Sequence, residues 1–166
     1  MDFNFSSLLA FTIAEKRFAI PLTLVDRVIR AVEVTSVPDS HSFVYGIIDF
    51  HGKDIPVINL RKRFGMEEKK IEPDDRFIIT VVDDLTLALA VDGVNEVVKH
   101  DQKEISKIEL ELAGTKLKQP KNSGLDFARF LRNDNGILII YNLKMLLSSD
   151  GNFEINDLLK KLGLDK

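Results

Sequence analysis

Three histidines, His41, His51 and His100, are the side chains of this sequence best suited to metal binding or proton transfer, and none lies within four positions of another. A metal pair carried on a helix needs ligands one turn apart, and no His-Glu-x-x-His or related spacing occurs. Asp74-Asp75 and Asp83-Asp84 are adjacent carboxylates, the raw material of paired acid and base groups. Sequence neighbours on a turn point in different directions, however, so both pairs read as solvated turns. Cysteine is absent, which removes a thiolate nucleophile, a thiolate metal site and a disulfide framework together. No Gly-x-Ser-x-Gly elbow, phosphate-cradling glycine loop or dinucleotide fingerprint is present. Lys116, Lys118 and Lys121 gather beside Pro120, a small basic cluster that reads as a solvated loop. The expectation is a binding module: no enzyme, no cofactor and no metal.

Composition narrows the partners. The 166 residues are 45% hydrophobic and 30% charged, with a formal net charge of -3, enough apolar content for one compact domain or two small lobes sharing a core. Positive charge is interspersed with negative and forms no dense tract, so neither nucleic acid nor direct membrane insertion is expected. No basic N-terminal stretch leads into a long apolar core, and no apolar run approaches membrane-spanning length. A cytoplasmic location is expected.

The elements that must position any binding residues are short strands. Residues 8–13 and 18–20 flank the charged turn Ala14-Glu15-Lys16-Arg17, a hairpin pattern. Pro21 suits the first position of a helix, and Leu24, Val25 and Val28 would form its narrow apolar stripe, either core or docking face. Residues 29–37 resume as strand before a turn at 38–42. Residues 66–76 are charge-dense, contain Pro73 and read as a solvated connection dividing the chain. Beyond it, 77–82 and 86–91 flank Asp83-Asp84-Leu85 as another hairpin, and 94–98 follow as a strand bent at Gly93. The apolar pattern thins over 99–123, where loop and irregular strand are expected. Residues 125–131 have no cleanly polar face, as in a strand buried on both sides. Asn133-Asp134-Asn135-Gly136 is a turn, 137–141 a strand and 143–147 the start of a short helix. Ile155, Leu158, Leu159 and Leu162 trace a helical stripe ending before Gly163, a C-terminal amphipathic helix over 151–166.

The densest information lies between Val44 and Arg61. Two apolar runs, 44–48 and 55–58, flank a polar hinge with Gly52 and Asp54, the pattern of a hairpin. Gly46 inside the first run marks a bulge or a close approach by another backbone. Pro56 cannot donate to a ladder, so the second strand is an edge, or begins, at that point. Leu60 and Phe64, four apart, would lay two apolar side chains on one face of a helical turn.

Gly46-Ile47-Ile48-Asp49-Phe50-His51-Gly52 followed by Ile55-Pro56-Val57-Ile58-Asn59-Leu60-Arg61 resembles the signature of the CheW-like coupling domain of bacterial chemotaxis. There, a Gly-Val-Ile-Asn-x-Arg-Gly turn precedes a Val-x-Pro-Val-x-Asp-Leu-Arg strand. Val91-Asp92-Gly93-Val94-Asn95-Glu96-Val97 resembles the family's Val-Asp-x-Val-x-Glu-Val segment, and 135–147 its closing strand and Leu-Leu helix. The resemblance implies an all-β fold with short helices: two SH3-like five-stranded β-barrels packed around a shared hydrophobic core, plus the C-terminal amphipathic helix. Residues 1–150 would be a single domain of two lobes divided near 66–76. No sequence repeat between the lobes is evident.

The resemblance further implies a non-catalytic adaptor coupling chemoreceptors (methyl-accepting chemotaxis proteins) to a CheA-type histidine kinase. It would grip the receptor's cytoplasmic tip and the kinase's regulatory domain, and be a monomer when alone. By position, the family's receptor and kinase contacts fall on Val25, Arg27, Gly46, His51, Gly52, Phe77 and Val97. Two of these depart from the family pattern, in which a Glu stands at the position of Arg27 and an Arg at that of His51. If they meet, a guanidinium faces an imidazole that must be neutral. Two alternatives stay open: a divergent scaffold serving another kinase pathway, and a small-ligand sensor using a groove between the barrels.

Overall fold

A computed structural model describes residues 7–38, 43–100, 128–141 and 143. Ten strands lie within them: β1 (Ser7–Ile13), β2 (Lys16–Pro21), β3 (Val25–Arg30), β4 (Val44–Phe50), β5 (Lys53–Ile58), β6 (Arg76–Val82), β7 (Leu85–Val91), β8 (Gly93–Lys99), β9 (Ala128–Asn133) and β10 (Gly136–Tyr141). A single helical turn, α1 (Leu60–Arg63), follows β5. Its start is capped by the Asn59 side chain, which accepts from the Lys62 N–H at 3.1 Å. As expected from their spacing, Leu60 and Phe64 are both buried.

The strands form two five-stranded sheets, one in the order β8-β1-β2-β10-β9 and the other β3-β6-β7-β5-β4. Each wraps its own apolar interior as an SH3-like barrel, and the first is called barrel A and the second barrel B. Leu8, Ala10, Ala19, Leu131, Leu138 and Ile140 fill barrel A. Ile48, Ile55, Val57, Phe77, Ile79 and Ala88 fill barrel B. Alternate residues of the same strands face the other way. Leu9, Phe11, Phe18 and Ile139 of barrel A thereby meet Ile78, Leu87, Leu89 and Ile58 of barrel B in one shared core. Small side chains at Ala10, Ala19 and Ala88 suit the tight interior of a five-stranded barrel. Within the shared core Phe11, Phe18, Phe64 and Tyr141 stack in sequence, with centroid separations of 5.9, 5.0 and 4.7 Å. Phe64, carried from barrel B by α1, is thus held between two aromatic rings of barrel A, an arrangement favoured by both area and ring geometry.

The boundary between lobes differs from the expected break near 66–76. Barrel A takes β1 and β2 from the start of the described chain and β8, β9 and β10 from its end, whereas barrel B is the continuous stretch β3 to β7. The chain crosses between barrels at 22–24 and at 92, and both crossings are too short to look like linkers. The 66–75 segment marks a different division. β1–β5 and β6–β10 have the same topology: an antiparallel hairpin, a crossing strand, then a second hairpin that pairs in parallel with the first hairpin of the other half. One constant offset carries Ser7 onto Arg76, Ile13 onto Val82, Val25 onto Val94 and Val28 onto Val97 in these registers. Both first hairpins turn on two residues of positive φ, Ala14-Glu15 and Asp83-Asp84, the tight turn that matches strand twist.

Three further expectations are corrected. The helical stripe Leu24, Val25, Val28 is a 3-10 turn over Leu22–Leu24 followed by strand. A bulge between Val25 and Arg27 inserts one residue, so Val25 and Val28 oppose Thr80 and Ile78, on one face of β6. A bulged strand therefore copied a helical spacing. The 66–76 segment is also no loose solvated connection. Asp75 is buried and accepts from Lys69 Nζ through both oxygens at 2.7 Å and from the Glu72 N–H at 2.7 Å. Asp74 beside it is exposed, as are Asp83 and Asp84. Strand is not continuous to residue 37. β3 ends at Arg30 and the chain then leaves β6 to make one bridge from Thr35 to Ile47. His41, Lys116, Lys118 and Lys121, most of the loop expected over 99–123 and the C-terminal helix expected over 151–166 fall outside the described residues.

Candidate functional site

β3 and β4 are the outer strands of barrel B, so the barrel closes where these two edges approach. Thr35 and Ile47 exchange backbone hydrogen bonds across the seam, each 2.9 Å. Gly46 makes this possible, because its φ is +153° and a Cβ there would lie 2.1 Å from the Thr35 carbonyl oxygen. Both readings of Gly46 hold, since β4 also carries a bulge between Val44 and Gly46. Pro56 pairs with Ile47, while the parallel ladder to β7 begins only at Val57. At Pro56 the strand has one ladder neighbour, as expected.

Further along the seam, Arg27 of β3 reaches the β4–β5 turn. Its Nη1 donates to His51 Nε2 at 3.3 Å, its Nε donates to Asp26 at 2.8 Å, and its guanidinium carbon stands 5.3 Å from the centre of the Phe50 ring. Arginine has no acceptor, so Nε2 of His51 is the unprotonated nitrogen in this contact. The His51 ring meets Phe50 edge-on at 4.5 Å. His51 and Gly52 both have positive φ, and the Gly52 N–H donates to Asp49 Oδ1 at 2.8 Å. The two residues that depart from the family pattern thus touch, bridging the open edges of a barrel.

The other candidate residues separate. Val25 is half-buried against the shared core and Phe77 is fully buried inside barrel B. Phe77 can shape a surface only from beneath, because its side chain never reaches one. Val97 is 47% exposed, but it lies on β8, the edge of barrel A. Its counterpart under the internal offset is Val28 on β3, also exposed. Val28, one of the three residues expected to form a helical stripe, is an exposed strand residue, and Val32 and Val81 are further exposed apolar side chains that the sequence did not mark. In barrel A the position matching Arg27 is Glu96. It pairs with Arg17, whose Nη1 also donates to the Asn135 carbonyl at 3.1 Å.

Asp92 ties the two barrels at the second crossing. Its Oδ2 accepts from Arg61 Nη2 at 2.5 Å and from the Ala14 N–H at 2.8 Å, and its backbone N–H donates to the Thr12 carbonyl at 2.9 Å. Lys69 Nζ lies 3.9 Å from Oδ1. Partial burial pushes the carboxyl's pKa up. The hydrogen bonds from Arg61 and Ala14 and the charges of Arg61 and Lys69 outweigh that, holding it below the ordinary value. Among the described residues, no cluster of His, Asp, Glu or Cys is placed to hold a metal ion, and no helix is long and apolar enough to cross a membrane.

Two barrels that share a core and expose strand edges and scattered valines define a recognition scaffold built from small barrels. A family model described as the CheW-like domain matches residues 7–150, and the chain belongs to that family. The chemotaxis protein CheW of Thermotoga maritima is 32% identical over 135 residues, covering 80% of this chain and 81% of the relative. CheW of Helicobacter pylori is 23% identical over 142 residues, covering 86% and 81%. Among solved structures, the scaffolding protein TtCheW from Thermoanaerobacter tengcongensis superposes with a TM-score of 0.75 at 28% identity, over 90% of this chain and 97% of that one.

Proposed function

We propose that this chain is a chemotaxis scaffold that couples chemoreceptors to a CheA-type histidine kinase in the cytoplasm and acts by binding alone. Membership of the CheW-like family over nearly the whole chain carries this reading. In it, the receptor's cytoplasmic hairpin and the kinase's regulatory domain each take a face of the two-barrel body, with the chain a monomer before it meets them. Val25, Arg27, His51, Gly52 and Val97 supply contacting surface, while Gly46 and Phe77 hold that surface in shape. Edge strands suit such a role because they present unpaired backbone groups, and exposed valines add apolar contact.

Calorimetry against the cognate kinase regulatory domain, with gel filtration against the receptor hairpin, tests the proposal. A micromolar Kd, about -8 kcal/mol, is expected for the kinase domain. Absence of heat and of co-elution at tens of micromolar with both partners overturns it.

A further inference from the structure

We propose that two copies of this chain exchange halves, β1–β5 of one copy closing with β6–β10 of the other, through the 65–75 strap. The two halves have one topology and one register, and each lends its first hairpin to the barrel completed by the other. Neither half contains a whole barrel. Every contact that completes barrel A across the β1·β8 and β2·β10 ladders, or barrel B across β3·β6 and β5·β7, is a contact between halves. Such contacts do not depend on whether the two halves belong to one chain. Reciprocal exchange therefore rebuilds two complete bodies with all their ladders and both shared cores.

The strap permits this. From Gly65, which has φ +70°, to Asp75 there are ten Cα steps, a reach of roughly 35 Å when extended. Its hold on the first half is polar: Tyr45 Oη to the Lys69 carbonyl at 3.2 Å, Asn59 to Glu68 at 3.3 Å, Arg61 to the Glu67 carbonyl at 3.3 Å and Ala31 N–H to the Asp75 carbonyl at 3.0 Å. Apolar anchorage is limited to Met66 and Ile71, both half-buried. Linkage through a short strap gives each half an effective concentration of its partner in the order of millimolar. Monomer thus dominates at micromolar chain, and exchange competes when the chain folds at about millimolar concentration.

The lack of cysteine makes the test clean. Ser7 and Lys99 are cross-strand partners on β1 and β8, one in each half, so Ser7→Cys with Lys99→Cys forms a disulfide within one chain in the monomer and between chains in the exchanged dimer. Thr12→Cys with Gly93→Cys is a second pair of the same kind, should the first disturb folding. Asp49→Cys with Asp54→Cys joins β4 to β5 inside one half and is the control, intrachain in either arrangement. Full-length protein is unfolded in denaturant, refolded at micromolar and at about millimolar concentration, oxidised and run on denaturing gels without reductant. The expected result is a band of doubled mass for the between-half pairs after concentrated refolding only, collapsed by reductant and absent from the control. Monomer bands at both concentrations overturn the proposal. So does a dimer on gel filtration whose between-half disulfides run as monomer, because that dimer is two closed copies side by side.

Discussion

Arg61 and Asp92 meet at 2.5 Å across thirty-one positions of sequence, joining the helical turn of barrel B to the crossing that enters barrel A. Because the Ala14 N–H donates to the same oxygen, one carboxylate fastens the first hairpin of barrel A to barrel B. Removing its charge with Asp92→Asn is expected to cost about 1–2 kcal/mol, the lower part of the range for charged hydrogen bonds because the pair is partly solvated. The sign with pH follows from the depressed pKa. The stabilisation is full above the unfolded carboxylate value and is lost as pH falls through the folded value. Urea melts of wild type and D92N across the acid range should therefore converge at low pH, and parallel curves would show that Asp92 is not the group responsible.

Phe64 is expected to be a pillar of the shared core. Phe64→Ala removes the ring stacked between Phe18 and Tyr141 and should cost about 3–5 kcal/mol. Phe64→Leu, which keeps most of the apolar volume, should cost clearly less. Denaturation midpoints at constant m-value provide the comparison.

Two glycines with positive φ should behave differently. Gly46→Ala drives a methyl into the Thr35 carbonyl and breaks the seam bridge, with an expected loss above about 2 kcal/mol. At Gly52 a Cβ meets nothing within 4 Å, so Gly52→Ala carries only backbone strain, about 1 kcal/mol. Equal losses at the two sites would contradict the seam geometry.

Val97 and Val28 occupy matched, exposed positions on the outer strands of the two barrels. Val97→Asp should leave the melting midpoint within about 0.5 kcal/mol of wild type while weakening the partner that uses barrel A. Val28→Asp asks the same question of barrel B. Titrating each variant against receptor hairpin and kinase domain separately shows which partner uses which barrel, and undiminished binding of both partners by both variants would remove the valines from the interface.

Arg27 and His51 should be replaceable together more easily than singly. Arg27→Glu with His51→Arg rebuilds an acid–guanidinium pair across the seam and is expected to preserve stability within about 1 kcal/mol. It should also shift binding toward receptor hairpins from organisms whose scaffolds carry that pair. Unchanged receptor preference in the double variant would show that the exchange of residue types is silent.

Much of this body was legible before any coordinates. The hairpins at 8–20, 44–58 and 77–91 follow from alternation and turn residues, and the meeting of Arg27 with His51 from the family pattern. The internal repeat leaves only faint traces in the sequence. Val57-Ile58-Asn59-Leu60 against Ile140-Tyr141-Asn142-Leu143, and Val25-Asp26-Arg27-Val28 against Val94-Asn95-Glu96-Val97, are its clearest traces. Elsewhere it is masked because a strand buried on both faces needs only apolar residues of suitable size, so the identities scatter. The lobe boundary was misplaced for a different reason. The longest polar segment separates the repeated halves, whereas the barrels trade hairpins across two crossings of a few residues. The bulge at Val25–Arg27 accounts for the false helix, since one inserted residue turns a period of two into a spacing of three.

The trading of hairpins has a cost in time. During synthesis β1 and β2 are the first strands to emerge, yet their sheet neighbours β8 and β10 begin at Gly93 and Gly136. At about 5–20 residues per second, the first hairpin waits roughly 6–24 s for its last neighbour. Barrel B, continuous in the chain, can close first and cover Leu9, Phe11 and Phe18, but until β9 and β10 arrive Leu8, Ala10 and Ala19, which face the interior of barrel A, have no partner strands to cover them. The nascent protein therefore passes through a state with one finished barrel and one orphaned apolar ribbon. That state, rather than the finished fold, is where chaperone dependence and aggregation are expected to concentrate.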